Sequence, residues 1–157
     1  MITCTFEDGG EGKLRHVIVD ALIIKDEKIL LAKRSPKLFK EGGKWDLIGG
    51  FMDRDEDLEE ALRREVLEEV GYKLKEIKLF TVINRPDREG SDWQNVAFFY
   101  VCAPAEKVGE MDWESTEVKW FDLNKIPSKE ELAFDHYEII NLYLKNRNFT
   151  PIKLLNY

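Results

Sequence analysis

Three glutamates, Glu65, Glu68 and Glu69, stand at i, i+3 and i+4 within GFMDRDEDLEEALRREVLEEVGY, residues 50–72. On a helix they project from one face and crowd negative charge into a small volume. Like charges at that spacing destabilise a helix, so the pattern calls for compensation from outside it. Carboxylate oxygens are the preferred ligands of hard Mg²⁺ or Mn²⁺, which makes a divalent cation the first chemical expectation.

The glutamates share a face only if the run is helical, and its local signals agree. Leu58, Leu62, Val66 and Val70 form an i, i+4 apolar stripe that would pack on a sheet. Asp57 is placed to cap the N-terminus, Glu59 and Glu60 suit the first turn, and Gly71 can end the helix at C′. A helix over about 58–70 is predicted.

The elements around it must hold that helix against something. HVIVDALII and ILLAKR flank the polar tip KDEK and read as a hairpin between Arg15 and Arg34. SPKLFKEGGK is a loop whose Lys37, Lys40 and Lys44 are either solvated or positioned for phosphates. Trp45 to Ile48 reads as a short strand ended by Gly49-Gly50, a pair that permits close approach of a ligand. LKEIKLFTVIN and NVAFFYVCAPA read as strands joined by the polar loop RPDREGSDWQ, and EVKWFDL as the last strand after the acidic loop APAEKVGEMDWEST. Asp135 with Glu138 suggests a capping box opening a helix over about 136–146. The N-terminal ITCTF followed by EDGGEG is either an extra edge strand or a loose arm. Strands, a helix, more strands and a last helix predict an α/β fold: a mixed sheet with helices packed over it.

Composition narrows the function. A chain of 157 residues with 43% hydrophobic residues suits one globular domain, residues 1–157, with a real core. The net charge of −7 argues against a nucleic-acid surface, which needs clustered Lys and Arg. Cys4 and Cys102 lie far apart without metal-ligand spacing, so reduced, packed cysteines and a cytoplasmic location are expected. No apolar run reaches membrane-spanning length and the N-terminus has no signal-peptide pattern.

Written as a pattern, residues 50–72 are G-x(5)-E-x(7)-R-E-U-x-E-E-x-G-U, with U bulky and apolar, filled by Gly50, Glu56, Arg64, Glu65, Val66, Glu68, Glu69, Gly71 and Tyr72. This resembles the signature of the Nudix hydrolases at every defined position, with Tyr72 the loosest fit. The order of elements likewise resembles that family's α/β/α sandwich, a mixed β-sheet between helices. The resemblance implies metal-dependent hydrolysis of a nucleoside diphosphate linked to another group X. It implies Mg²⁺ or Mn²⁺ held by Glu65, Glu68 and Glu69, with Glu56 and the Gly50 carbonyl in support, and Arg64 orienting a glutamate. The catalytic set expected is therefore Glu65, Glu68, Glu69 and Arg64 with a general base drawn from Glu65, Glu114 or Glu117. Departures from the pattern lie in the loop: Asp53, Arg54 and Asp55 replace a Glu and a Pro-Gly that many members carry.

KWDLIGGF and Pro86 resemble members acting on ADP-ribose and related nucleotide sugars or dinucleotides. Substrate contacts are expected at Arg34, Trp45, Phe51 and Arg85, and Phe39 and Trp93 are further candidates for base stacking. The alternatives are a nucleoside-triphosphate pyrophosphohydrolase and a non-catalytic nucleotide-sensing module. A homodimer paired through ITCTF would follow the family's habit.

Overall fold

The computed structural model describes residues 2–87 and 94–154. Arg88, Asp92 and Trp93 of the polar loop lie outside the described residues. The order is β1 (Ile2–Thr5), β2 (Glu11–Leu14), β3 (Val17–Lys25), β4 (Lys28–Arg34), β5 (Trp45–Asp46), β6 (Ile48–Phe51), α1 (Leu58–Val70), β7 (Tyr72–Ile83), β8 (Val96–Lys107), β9 (Ser115–Asp122) and α2 (His136–Lys145). A seven-stranded sheet runs β5-β4-β3-β8-β7, with β6 also on β3 and β9 also on β4. The β3–β8 pairing is parallel and the others antiparallel, so the sheet is mixed as expected.

Period-two alternation feeds two cores. Val19, Ala21 and Ile23 of β3, with Leu30 and Ala32 of β4, meet Ala61, Leu62, Val66 and Val70 of α1. Leu22, Ile29 and Leu31 point the other way and meet Ile139, Ile140 and Tyr143 of α2. With a helix burying its stripe on each face, the layers are those of an α/β/α sandwich. Among the described residues no helix is long and apolar enough to cross a membrane.

α1 forms where the sequence places it, and its cap is stronger than a lone Asp. Asp57 Oδ1 accepts from the amides of Glu59 and Glu60, both at 2.9 Å, and the Glu60 carboxylate accepts from the Asp57 amide at 2.8 Å. Gly71 ends the helix at φ 71°, its amide donating to the Leu67 carbonyl. A Cβ there would also meet the Gly109 carbonyl oxygen at 2.1 Å, so both conformation and space demand glycine. Replacing Asp57 by Ala is expected to cost about 1 kcal/mol, read as a lower midpoint in urea unfolding; an unchanged midpoint would show that tertiary packing alone sets this helix start.

Four expectations need correction. The N-terminal segment is neither an edge strand of the main sheet nor a loose arm: β1 and β2 form their own two-stranded antiparallel sheet. Gly49 and Gly50 do not end a strand; they lie inside β6, paired with Asp20 and Val19. β8 continues to Lys107, so Glu106 is in a strand and paired with Lys73 rather than in the acidic loop. Finally, α2 begins after Asp135 without a capping box, because Asp135 has ψ 19° instead of the extended backbone that aims a side chain at the first turn.

Candidate active site

One end of the sheet opens into a cleft of ≈ 510 Å³. Its acidic wall is a half-buried flank of α1, where Glu65 and Glu69 line the cleft together with Gly50 of β6 and Glu114 of the loop before β9. A Cβ on Gly50 would come within 2.6 Å of the Glu65 carboxyl carbon, so glycine gives the carboxylate its place against the strand.

Arg64 organises the glutamates more fully than its sequence position suggests. Its Nη2 and Nε donate to both oxygens of Glu56, at 2.6 and 3.0 Å, and Nη2 also donates to the Phe51 carbonyl at 3.0 Å. Nη1 donates to Glu65 at 2.8 Å and Glu68 at 3.3 Å. The guanidinium therefore compensates Glu56, Glu65 and Glu68 from within the helix, a wider reach than the single glutamate expected of it. These bonds hold the Glu56 carboxyl below its usual range and keep Arg64 firmly protonated. Among the described residues no group of three or more His, Cys, Asp or Glu side chains converges as a ready metal cage.

Glu69 has no share in that network. Burial raises its carboxyl well above the ordinary value, and the charges of Asp46, Glu65, Asp112 and Glu114 add to the effect. Burial likewise raises Glu65 in spite of Arg64, and raises Glu114, where Asp112 adds and Arg34 opposes. The site is thus a cluster of carboxylates short of positive charge.

The opposite wall is cationic and aromatic. Arg34, at the end of β4, donates from Nη1 to Asp46 Oδ2 at 2.6 Å and from Nε to the Lys40 carbonyl at 3.2 Å. Its guanidinium lies 5.1 Å from the centre of the Phe134 ring. Asp46 is buried, with its Oδ1 2.5 Å from Nδ1 of buried His136. Burial works to raise the Asp46 carboxyl, but His136 and Arg34 outweigh it and hold it low. Burial works to lower His136, but Asp46 outweighs it and the imidazole is raised. The 131–133 segment delivers these side chains by pairing with β5: the Trp45 amide donates to Glu131 at 2.8 Å and the Ala133 amide to Trp45 at 2.8 Å. Phe134 then adopts φ 50°, a left-handed conformation costly for a bulky residue, and its ring lines the cleft.

The expected site residues divide accordingly. Glu65, Glu69, Arg64, Gly50, Arg34 and Phe51 line the cleft, as do Phe39, Lys40 and Glu114. Glu56 and Glu68 join them through Arg64. Glu117 is exposed on β9, paired across from Lys33, and is not in the lining. Trp45 packs edge-on to Phe121 at 4.8 Å and carries Lys33 at 5.6 Å, outside the lining. Arg85 is exposed beyond β7, also outside it. Asp46, His136, Phe134 and Asn95 line the cleft without having been singled out. The available signals were an Asp inside an apolar strand run and a His directly after Phe-Asp.

The NUDIX domain model matches residues 14–143. An ADP-ribose pyrophosphatase of Methanocaldococcus jannaschii is 40% identical over 134 residues, covering 84% of this chain and 75% of that protein. A NUDIX hydrolase structure from Nitrosomonas europaea superposes with a TM-score of 0.75 at 26% identity, covering 94% of this chain and 81% of that one. The NUDIX domain of Shewanella oneidensis NrtR, complexed with ADP ribose, gives 0.71 at 27% identity, covering 88% and 91%. With the signature run centred on α1, its Glu65 and Glu69 lining the cleft and the match spanning most of the sequence, this chain belongs to the Nudix hydrolase family.

Proposed function

We propose that the chain hydrolyses the diphosphate of ADP-ribose, or of a closely related nucleoside diphosphate linked to X, with Mg²⁺ or Mn²⁺. The observation that carries this reading is the two-sided cleft, carboxylates on α1 facing Arg34 and three phenylalanines, Phe39, Phe51 and Phe134. The similarity to the M. jannaschii ADP-ribose pyrophosphatase and to an ADP-ribose-bound domain supports the choice of X.

The donor set fits a hard divalent cation. Glu69 is raised first by burial and then by the carboxylates around it, and the Gly50 backbone lies against Glu65. Glu65, Glu68 and Glu69, supported by Glu56 and the Gly50 carbonyl, would hold the ion. Such an ion supplies charge neutralisation of the diphosphate and an acidified water. The protein's own part is orientation and proton handling. Arg34, pinned through Nε and Nη1, keeps Nη2 to donate to a phosphate oxygen. Glu114, raised by burial and standing on the loop across from α1, is suited to take the proton of the attacking water. Phe39, 95% exposed at the rim, is free to cover a base.

Incubation with ADP-ribose and Mg²⁺ is expected to release AMP and ribose 5-phosphate, resolved by chromatography. Attack at either phosphorus yields the same pair. Pyrophosphate from nucleoside triphosphates, with ADP-ribose untouched, would replace this reading by the triphosphate one. Binding of ADP-ribose without turnover would replace it by a sensing module.

A further inference from the structure

We infer that Asn95 accepts a hydrogen bond from the exocyclic amine of the substrate's base, so that the cleft selects a 6-aminopurine. The inference rests on the reading of the cleft as a nucleotide site and names what that site recognises. Asn95 is only 7% exposed, lines the cleft, and its Oδ1 is buried with no hydrogen-bond partner among the described residues. A buried amide oxygen without a donor is a standing cost that a ligand's N–H would relieve.

The backbone on both sides of Asn95 is fixed. Arg15 donates from Nη2 to the Asn95 carbonyl at 3.1 Å and from Nε to the Gln94 carbonyl. The Val96 amide donates to the His16 carbonyl at 2.8 Å, directly before the parallel register of β3 and β8 begins at Val17 and Val96. The carboxamide is therefore presented from a strand end rather than from a freely swinging loop.

Its surroundings favour a flat heterocycle. Ile18 and Phe51, paired across β3 and β6, line the same cleft. Phe51 is 41% exposed, with the His16 ring 4.9 Å away. A planar base has an apolar face for these side chains and an amine at its edge for Oδ1. A ribose hydroxyl could also donate to Oδ1, but a hydrated sugar gains little from Phe51 and Ile18. Arg34 and the carboxylates line the same cleft and suit the diphosphate.

The test is equilibrium binding of AMP, 2′-deoxy-AMP and the purine nucleotide lacking the 6-amino group, to the wild type, Asn95→Leu and Asn95→Ala. The wild type is expected to bind AMP about tenfold or more tightly than the deaminated analogue, because a polar site built for a donor rejects a ligand without it. Both variants should bring that ratio close to one, while 2′-deoxy-AMP stays near AMP in the wild type. No preference in the wild type, a preference that survives both variants, or loss that follows the 2′-hydroxyl would each overturn the inference. Because binding is read without turnover, an AMP preference in a protein that fails to cleave ADP-ribose would sink the proposed reaction and leave Asn95 as the base reader.

Discussion

Replacing Glu69 by Gln is expected to cut kcat/KM for ADP-ribose by about a hundredfold or more, while the metal-free protein becomes no less stable. The two effects share one origin. Glu69 is raised first by burial and then by Asp46, Glu65, Asp112 and Glu114, and Arg64 does not reach it. As a carboxylate it adds charge to a cluster that repels it, useful only when a cation arrives. Glutamine keeps the shape and removes the charge. The sign of the pH effect follows from linkage. Since the folded protein holds this proton more tightly than the unfolded chain, stability is full below the ordinary value of 4.5 and falls as pH rises through the raised one. The variant lacks that fall, so in metal-free buffer its advantage should widen from acid toward alkaline pH. Added Mg²⁺ should raise the urea midpoint of the wild type more than that of the variant. A variant that is equally stable at every pH and equally active would remove Glu69 from the centre of the chemistry.

What could be read from the chain was what the chain specifies locally. α1 is legible because stripe, cap and terminating glycine all fall within residues 57–71 and agree with one another. The β3–β4 hairpin is legible for the same reason, with Asp26 and Glu27 at φ 49° and 57° turning the tip. The family was legible because its signature is contiguous in sequence, running from Gly50 of β6 through the Glu56 loop and α1 to Tyr72. The far wall was not, since Asp46 and His136 are remote in sequence and each had a local explanation, a strand residue and a neighbour of a helix cap. Only the pairing of segment 131–133 with β5 brings them together. Arg64 shows a related limit: spacing says which glutamates share its face, but not that loop residue Glu56 folds back to take both ends of its guanidinium. Glu117 and Trp45 show the reverse. Their residue types suit the chemistry, yet strand register sends one to solvent and the other against Phe121.

Replacing His136 by Leu is expected to cost about 3 kcal/mol or more of stability, because it strips a buried aspartate of its closest partner. Among the described residues Asp46 would keep only Arg34 as an ion-pair partner, 2.6 Å away, in a site otherwise walled by core residues and by the acidic cluster around Glu69. The second replacement Asp46→Asn should restore part of the loss, since the cost lies in the stranded charge rather than in the missing ring. The pH dependence separates this from simple loss of packing. His136 is raised, so its contribution is full below its ordinary value of 6.5 and is lost as pH climbs through the raised value. Asp46 is held low, so its contribution is full above its ordinary value of 3.8 and is lost as pH falls through the lowered one. The gap between wild type and His136→Leu in urea unfolding should therefore be greatest between these two ordinary values and narrow on either side. A gap constant across that range would mean that the imidazole serves as a neutral acceptor for the buried Leu47 amide, which donates to its Nδ1 at 3.2 Å, and not as the cation of an ion pair. A gap that narrows on both sides would identify the ion pair, whose Asp46 also anchors Arg34, as the source of the cost. It would then predict that KM for ADP-ribose rises more than kcat falls in the variant, because Arg34 binds the diphosphate and does not move a proton.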